Sequence, residues 1–496
     1  MCCLIFVVLL FMIANGFAVL NLAPQHDTIN HVVNPYTVSS HYNVGSSSHQ
    51  LQLGRFLLQG YTNLMGDARI ITPWITGVLS IVYLTVTVYL IAKMFEMDNK
   101  PGIFVISAAL VCNTCMTTLL SVFTYVTDAY RFATLLGVIG VYLLYKRAGL
   151  LSDLLAIPLF VCTLGIYQAE IPVAMIVLIL AVVKDLLRNK EIPWKDILKW
   201  IVIFAVSGVI YFVIYKITLR AANIGAGSDY NDLSALGNLS VVGILKDLLR
   251  NAWNWWNFFF GNNCFVNGTR VPNICLLILS AAGFVMTAKH LKVQNTIFTV
   301  LCLIAVPVLG FSMSVLMGMN KLQYYCSYGL FLIYPAMALV IREGFGKIDV
   351  RRISKGLIVV LMGVVFFKNA VYANAAYTIQ NIIFERTESI MTLINADLMD
   401  LEGYEAGKTE VVVVGYFVKN ETILDLPTDP YSQLPAFSDT SLTYAQTWSR
   451  FARNFGIPIN VTIDQSLKEE CSDMPAFPNK GYLKMEDGRV ILKISD

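Results

Sequence analysis

Ionisable and hydroxyl-bearing residues gather at one level of this chain's apolar pattern. They are Asp27; Arg55, Asp67 and Arg69; Asp128 and Arg131; Tyr167, Gln168 and Glu170; and Lys321, Tyr324 and Tyr325, each group at the same end of successive apolar runs. A carboxylate can deprotonate an acceptor hydroxyl, and Arg or Lys can stabilise a departing phosphate. The set therefore suits transfer of a group from a lipid-linked phosphate. Each residue alone has a plainer role, because terminal Arg and Lys snorkel to headgroups and a loop Asp is solvated or caps a turn. It is the gathering that points to chemistry.

The elements that must position this set are membrane spans. About eleven apolar stretches approach the length needed to cross a bilayer, at 2–20, 69–92, 102–123, 130–145, 150–167, 171–186, 198–218, 272–288, 296–316, 325–341 and 355–372. Every second connection is short and basic. These connections carry Lys93 and Lys100; Lys146 and Arg147; Lys184, Arg188, Lys190, Lys195 and Lys199; Lys289 and Lys292; and Arg342, Lys347, Arg351, Arg352 and Lys355. By the positive-inside rule they are cytoplasmic. The same parity sends the long loops 21–68 and 219–271, and everything after residue 373, outside with the gathered residues.

Composition agrees. The chain is 56% hydrophobic and 14% charged with a mean hydropathy of +0.63, whereas a soluble domain is about a quarter charged. No basic tail or nucleic-acid motif is present, so nucleic acid is not an expected partner. Residues 2–20 lack the basic start of a signal peptide, and a retained first helix is expected.

Ten cysteines do not make a disulfide framework, since Cys112, Cys115, Cys162, Cys275 and Cys302 fall inside apolar stretches. Cys112-Asn-Thr-Cys115 lacks the second pair of a zinc site and reads as helix packing. Cys264 and Cys471 lie outside and could pair in an oxidising compartment. His26, His31, His41 and His49 crowd the first loop without the tight spacing of zinc ligands, so neither metal nor other cofactor is expected.

From Val242 to Phe260 the residues Leu245, Leu249, Trp253, Trp256 and Phe260 share a face opposite Lys246, Arg250, Asn254 and Asn257, which predicts an interfacial helix. Domain 1–372 thus holds the spans and 373–400 is a connecting helix. Residues 401–496 form a small α/β domain, with a strand at 409–417, a helix at 439–456 and a hairpin at 484–493 around Asp487-Gly488.

Several short motifs occur in order along the chain: Gly54-Arg55-Phe56-Leu57 followed by Pro73; Phe123-Thr-Tyr-Val-Thr-Asp128-Ala-Tyr-Arg131; Tyr167-Gln168 after a span; and Met474-Pro-Ala-Phe-Pro478-Asn-Lys-Gly481-Tyr with Val490-Ile-Leu-Lys493. In these the chain resembles the type II serotype-converting glucosyltransferases, membrane enzymes of enteric bacteria and their phages that glucosylate O-antigen. The resemblance implies a polytopic α-helical membrane protein of C-type glycosyltransferase architecture in the inner membrane, with its C-terminal domain extracytoplasmic. It further implies inverting transfer of glucose from undecaprenyl-phosphate glucose to a growing lipopolysaccharide, without a nucleotide sugar. Such enzymes place an essential acidic residue in the first outer loop. Here that is Asp27, with Asp67 as the competitor.

In the same reading Arg55, Arg69, Arg131 and Lys321 hold the donor phosphate. Asp128, Tyr167, Gln168, Glu170, Tyr324 and Tyr325 line the substrates. The alternatives are a polysaccharide polymerase or ligase and a lipid-linked sugar flippase. A flippase needs intramembrane charge along a path, and the spans carry little.

Overall fold

Long runs of Leu, Ile, Val and Phe with few charges leave the backbone no hydrogen-bonding partner in lipid except itself, and the chain is correspondingly helical. A computed structural model of the protein describes residues 1–21, 48–65, 72–147, 149–224, 241–262, 264–316, 324–346, 351–416, 448, 452, 457 and 459–495. In chain order the helices are α1 (Cys2–Leu20), α2 (Ser48–Gln52), α3 (Leu58–Met65), α4 (Pro73–Phe95), α5 (Lys100–Val111), α6 (Thr114–Val122), α7 (Thr127–Lys146), α8 (Leu150–Ile166), α9 (Ile171–Leu187), α10 (Trp194–Ala221), α11 (Val241–Phe260), α12 (Arg270–Ala288), α13 (Val293–Gly310), α14 (Ser312–Leu316), α15 (Ile333–Phe345) and α16 (Arg351–Met399).

Among the described residues eight helices are long and apolar enough to cross a membrane, and nine if the bent pair α5 and α6 is one span. Of the expected spans, that leaves α8 and α9, each 17 residues long. The expected straight span 102–123 is broken by 41°. Asn113 makes the break: its side chain accepts from Met116 N at 2.8 Å, capping α6, and donates to Ala109 O at 3.0 Å, closing α5. The flanking Cys112 and Cys115 are buried packing residues.

The span 124–146 is 72% buried while α10 is 22% buried, so α7 is a central column and α10 a peripheral one. Around α7 pack α4, α8 and α9, and α10 leans on α8. Helices α12 and α15 touch at Gly283 and Gly344, where a Cβ on Gly344 would collide with the Gly283 backbone.

At the end of the bundle that carries the short basic connections, charges lock together. Arg188 reaches both Glu96 and Glu343, Lys184 meets Glu96 at 2.9 Å, and Arg342 donates to Phe95 O at 3.0 Å. The opposite end carries the aromatic and polar residues described below.

The expected boundary at 372/373 is absent, because α16 runs unbroken for 49 residues, about 70 Å at 1.5 Å per residue. Its buried residues run from Ala373, Ala376, Tyr377 and Gln380 on the bundle to Met391, Ile394 and Leu398 in a separate core, so one helix serves two cores without a break. That far end packs on a four-stranded sheet of order β2-β1-β4-β3, with β1 Glu410–Val414, β2 Asn460–Ile463, β3 Leu483–Glu486 and β4 Arg489–Lys493. Strand β1 is parallel to β2 and β4, and β3 and β4 form a hairpin whose turn residues Asp487 and Gly488 both have positive φ. Met391, Ile394 and Leu398 share a core with Val411, Val413, Val490 and Leu492. Of the helix expected at 439–456 only Trp448 and Ala452 lie among the described residues, both helical and buried.

Two expectations change. Cys264 and Cys471 are free thiols, so the outer disulfide does not form. Cys471 is instead buried under the sheet with Val412, Val414 and Ile491. On α11 the expected face is only partly right: Leu249 and Trp253 are 71% and 64% exposed, but Phe260 is buried. The helix is held by another side, where Asn251 and Phe259 are buried and Ile244, Leu248 and Trp255 pack against the bundle core.

Candidate active site

Four pieces of chain meet at the end opposite the basic connections: residues 50–61, the start of α7, the 167–170 turn between α8 and α9, and 325–328 before α15. Asp128 sits in the first turn of α7, where the helix N-terminus favours a negative charge. Tyr61 donates to Asp128 Oδ2 at 2.7 Å, and its oxygen lies 3.1 Å from the Tyr83 hydroxyl. Burial, then the Asp128 charge, raises the Tyr61 phenol well above its ordinary range, so Tyr61 keeps its proton and remains a donor.

Arg55 is half-buried. Its Nη1 donates to Tyr130 Oη at 3.1 Å and to Gln50 Oε1 at 3.2 Å. The guanidinium lies 4.8 Å from the Tyr167 ring centre and 5.8 Å from that of Tyr130, and those two rings stack 3.8 Å apart. Ring faces attract a cation without neutralising it. Among the described residues no carboxylate lies within ion-pair distance of Arg55, and its Nε has no acceptor. A planar guanidinium in that condition suits phosphate oxygens.

Arg131 is in a different situation. It is fully buried, pairs with Glu170 at 2.8 Å, and lies 3.8 Å from the Tyr328 ring centre. Thr134 donates to the other Glu170 oxygen at 2.8 Å. Glu170 engages Arg131 through Nη2 only, while the buried Arg131 Nε and Nη1 have no acceptor among the described residues; the pair staples α7 to the 168–170 turn. Tyr167 donates to Tyr325 O at 3.1 Å and Gln168 to Leu53 O at 2.7 Å, tying the same turn to the other two pieces.

A family model for the glucosyl transferase GtrII matches residues 16–334, well over half the chain. The chain belongs to the GtrII glucosyl transferase family. The matched stretch contains every residue of this cluster. No curated protein and no solved structure matches the chain. As a GtrII member the protein is a membrane glucosyltransferase, and the family implies a sugar donor and an O-antigen polysaccharide acceptor.

The structure brings together Arg55, Asp128, Arg131, Tyr167, Gln168, Glu170 and Tyr325. Asp27, Asp67, Arg69 and Lys321 lie outside the described residues, as does the Tyr324 side chain; His26, His31 and His41 also lie outside. Among the described residues no three His, Cys, Asp or Glu side chains converge as metal ligands. Sequence reasoning missed Tyr61, Tyr83, Tyr130, Tyr211 and Tyr328. The available signal was tyrosine at the ends of apolar runs, where a ring can pack in the bundle while its hydroxyl finds a polar partner.

Proposed function

We propose that this GtrII enzyme moves glucose from a polyprenyl-phosphate-linked donor to O-antigen on the extracytoplasmic face of the inner membrane, with inversion at the anomeric carbon. The observation that carries the reading is Arg55, a half-buried cation held over Tyr167 and Tyr130 and facing no carboxylate among the described residues. A donor that arrives through the lipid phase needs a cation waiting at headgroup depth.

In this reaction an acceptor hydroxyl oxygen attacks the anomeric carbon while the bond from that carbon to the phosphate oxygen breaks. The hydroxyl proton passes to a carboxylate, and the electron pair leaves on polyprenyl phosphate. Arg55, joined by Arg69 and Lys321, stabilises the departing phosphate. Asp27 is the base, with Asp67 as the competing position. Asp128, Tyr167, Gln168, Tyr324 and Tyr325 order the substrates, while Arg131 and Glu170 hold the frame.

Eleven spans from a cytoplasmic start, counting α8 and α9, put loops 21–68 and 219–271 and the domain 401–496 outside. Purified protein in lipid nanodiscs, given undecaprenyl-phosphate glucose and an O-antigen acceptor, is expected to add one hexose to the acceptor by mass spectrometry. Transfer only from a nucleotide sugar would overturn the donor. A phosphatase reporter fused after Asp496 tests the side, and cytoplasmic fluorescence from a matching fusion would reverse it.

A further inference from the structure

The segment that presents Arg55 is the end of a helix whose carbonyls are claimed from outside. Helix α2 ends at Gln52 and is closed by Gly54, whose φ of +77° is the left-handed conformation that glycine adopts without strain. Gly54 N donates to Leu51 O at 2.9 Å and Arg55 N to Gln50 O at 3.0 Å, the paired bonds of a Schellman ending. That ending leaves the carbonyls of Gln52, Leu53 and Gly54 without a helical donor. Each is met by a side chain: Tyr215 Oη donates to Gln52 O at 2.9 Å, Gln168 Nε2 to Leu53 O at 2.7 Å, and Tyr211 Oη to Gly54 O at 3.2 Å.

Tyr211 and Tyr215 are one turn apart on α10, a helix otherwise mostly exposed. Its buried residues at this end run Ser207, Tyr211, Tyr215 and Leu219, a single stripe aimed at the segment. The Tyr211 ring also stacks on Phe56 at 5.6 Å, so the residues on both sides of Arg55 are gripped by one side chain. A guanidinium that must meet a phosphate fork within a fraction of an ångström needs its backbone fixed.

We infer that Tyr211 and Tyr215 are positioning residues that hold the 52–54 backbone so that Arg55 meets the donor phosphate. The inference rests on the reading of Arg55 as the phosphate ligand. Replacing each by Phe removes the hydroxyl and keeps the ring. In full-length protein in nanodiscs, each hydroxyl lost should raise KM for undecaprenyl-phosphate glucose between about twofold and tenfold, the span of one neutral hydrogen bond, with kcat and Tm little changed. The Gly54 and Arg55 amides should exchange hydrogen faster in the Tyr211→Phe/Tyr215→Phe double variant. Tyr334→Phe is the control: it removes a buried hydroxyl bound to Asn273 Oδ1, and should alter neither readout at the site.

Unchanged amide exchange in the double variant would overturn the inference whatever the activity shows, as would faster exchange with an unmoved donor KM. Arg55→Lys in the same assay separates the two ideas. If it leaves KM and turnover intact, the phosphate reading fails, and a KM effect of the tyrosine variants would then have another cause.

Discussion

The two ends of the helical bundle handle charge in opposite ways. At the basic end cations are matched with carboxylates: Lys93 with Asp98, Lys184 with Glu96, Arg188 with Glu96 and Glu343, Lys190 with Asp185, and Lys199 with Asp153. At the other end the Arg131–Glu170 pair is sealed inside, and Arg55 stands against two tyrosine rings with no carboxylate partner among the described residues. Paired charge fastens helices together. A cation balanced only by ring faces keeps its capacity for an incoming anion.

The largest expected effect belongs to the carboxylate that serves as base at the site end. If the site end supplies its base from the first outer loop, Asp27→Asn lowers turnover roughly a hundredfold to ten-thousandfold, with expression unchanged. Near-normal transfer there, with collapse in Asp67→Asn, moves the base to position 67.

Next come the two kinds of ion pair. Glu170→Gln strands a buried guanidinium and is expected to destabilise the protein by about 3–5 kcal/mol. Asp98→Asn breaks a pair exposed by 43% and 58%, screened by water, and should leave Tm almost unmoved. Thermal unfolding in detergent compares them, and equal shifts would erase the distinction between a sealed pair and a surface one.

Arg55→Lys keeps the charge and loses the fork. The kcat/KM for the lipid donor should fall roughly ten- to hundredfold while Tm moves little. A large loss of Tm with unaltered kinetics would make Arg55 a structural residue like Arg131.

The smallest effect belongs to the basic end and is read by pH. Hydrogen bonds from Arg188 and then Lys184 hold the Glu96 carboxyl down to about 2, below its ordinary 4.5. A depressed carboxyl favours the folded state fully above its unfolded pKa, so this contribution persists down to about pH 4.5 and is lost as pH falls toward 2. Between those values Glu96→Gln should show a flatter stability profile than the wild type. Matching profiles would mean the network is silent.

The apolar stretches, the alternation of basic connections and the hairpin at Asp487-Gly488 were legible because each depends on neighbours a few residues away. The bend at Asn113 was legible in principle from Asn as a helix cap, but an apolar run on both sides hid it. The continuous α16 was hidden for the opposite reason, since a change in average composition at 373 masked a buried stripe that runs on from the bundle core into the core of the sheet.

The gathering of charged and aromatic residues at one end could likewise be foreseen, and the ordered short motifs carried the resemblance to the family. Sequence alone determined that Arg55 and Arg131 both stand at the ends of apolar runs, and no local pattern separates them. Only the tertiary structure decided that Arg131 faces Glu170, 39 residues away, while Arg55 faces rings. The role of a charge depends on what lies within about 4 Å and how much water remains, and in a bundle both are set by helices distant in the chain.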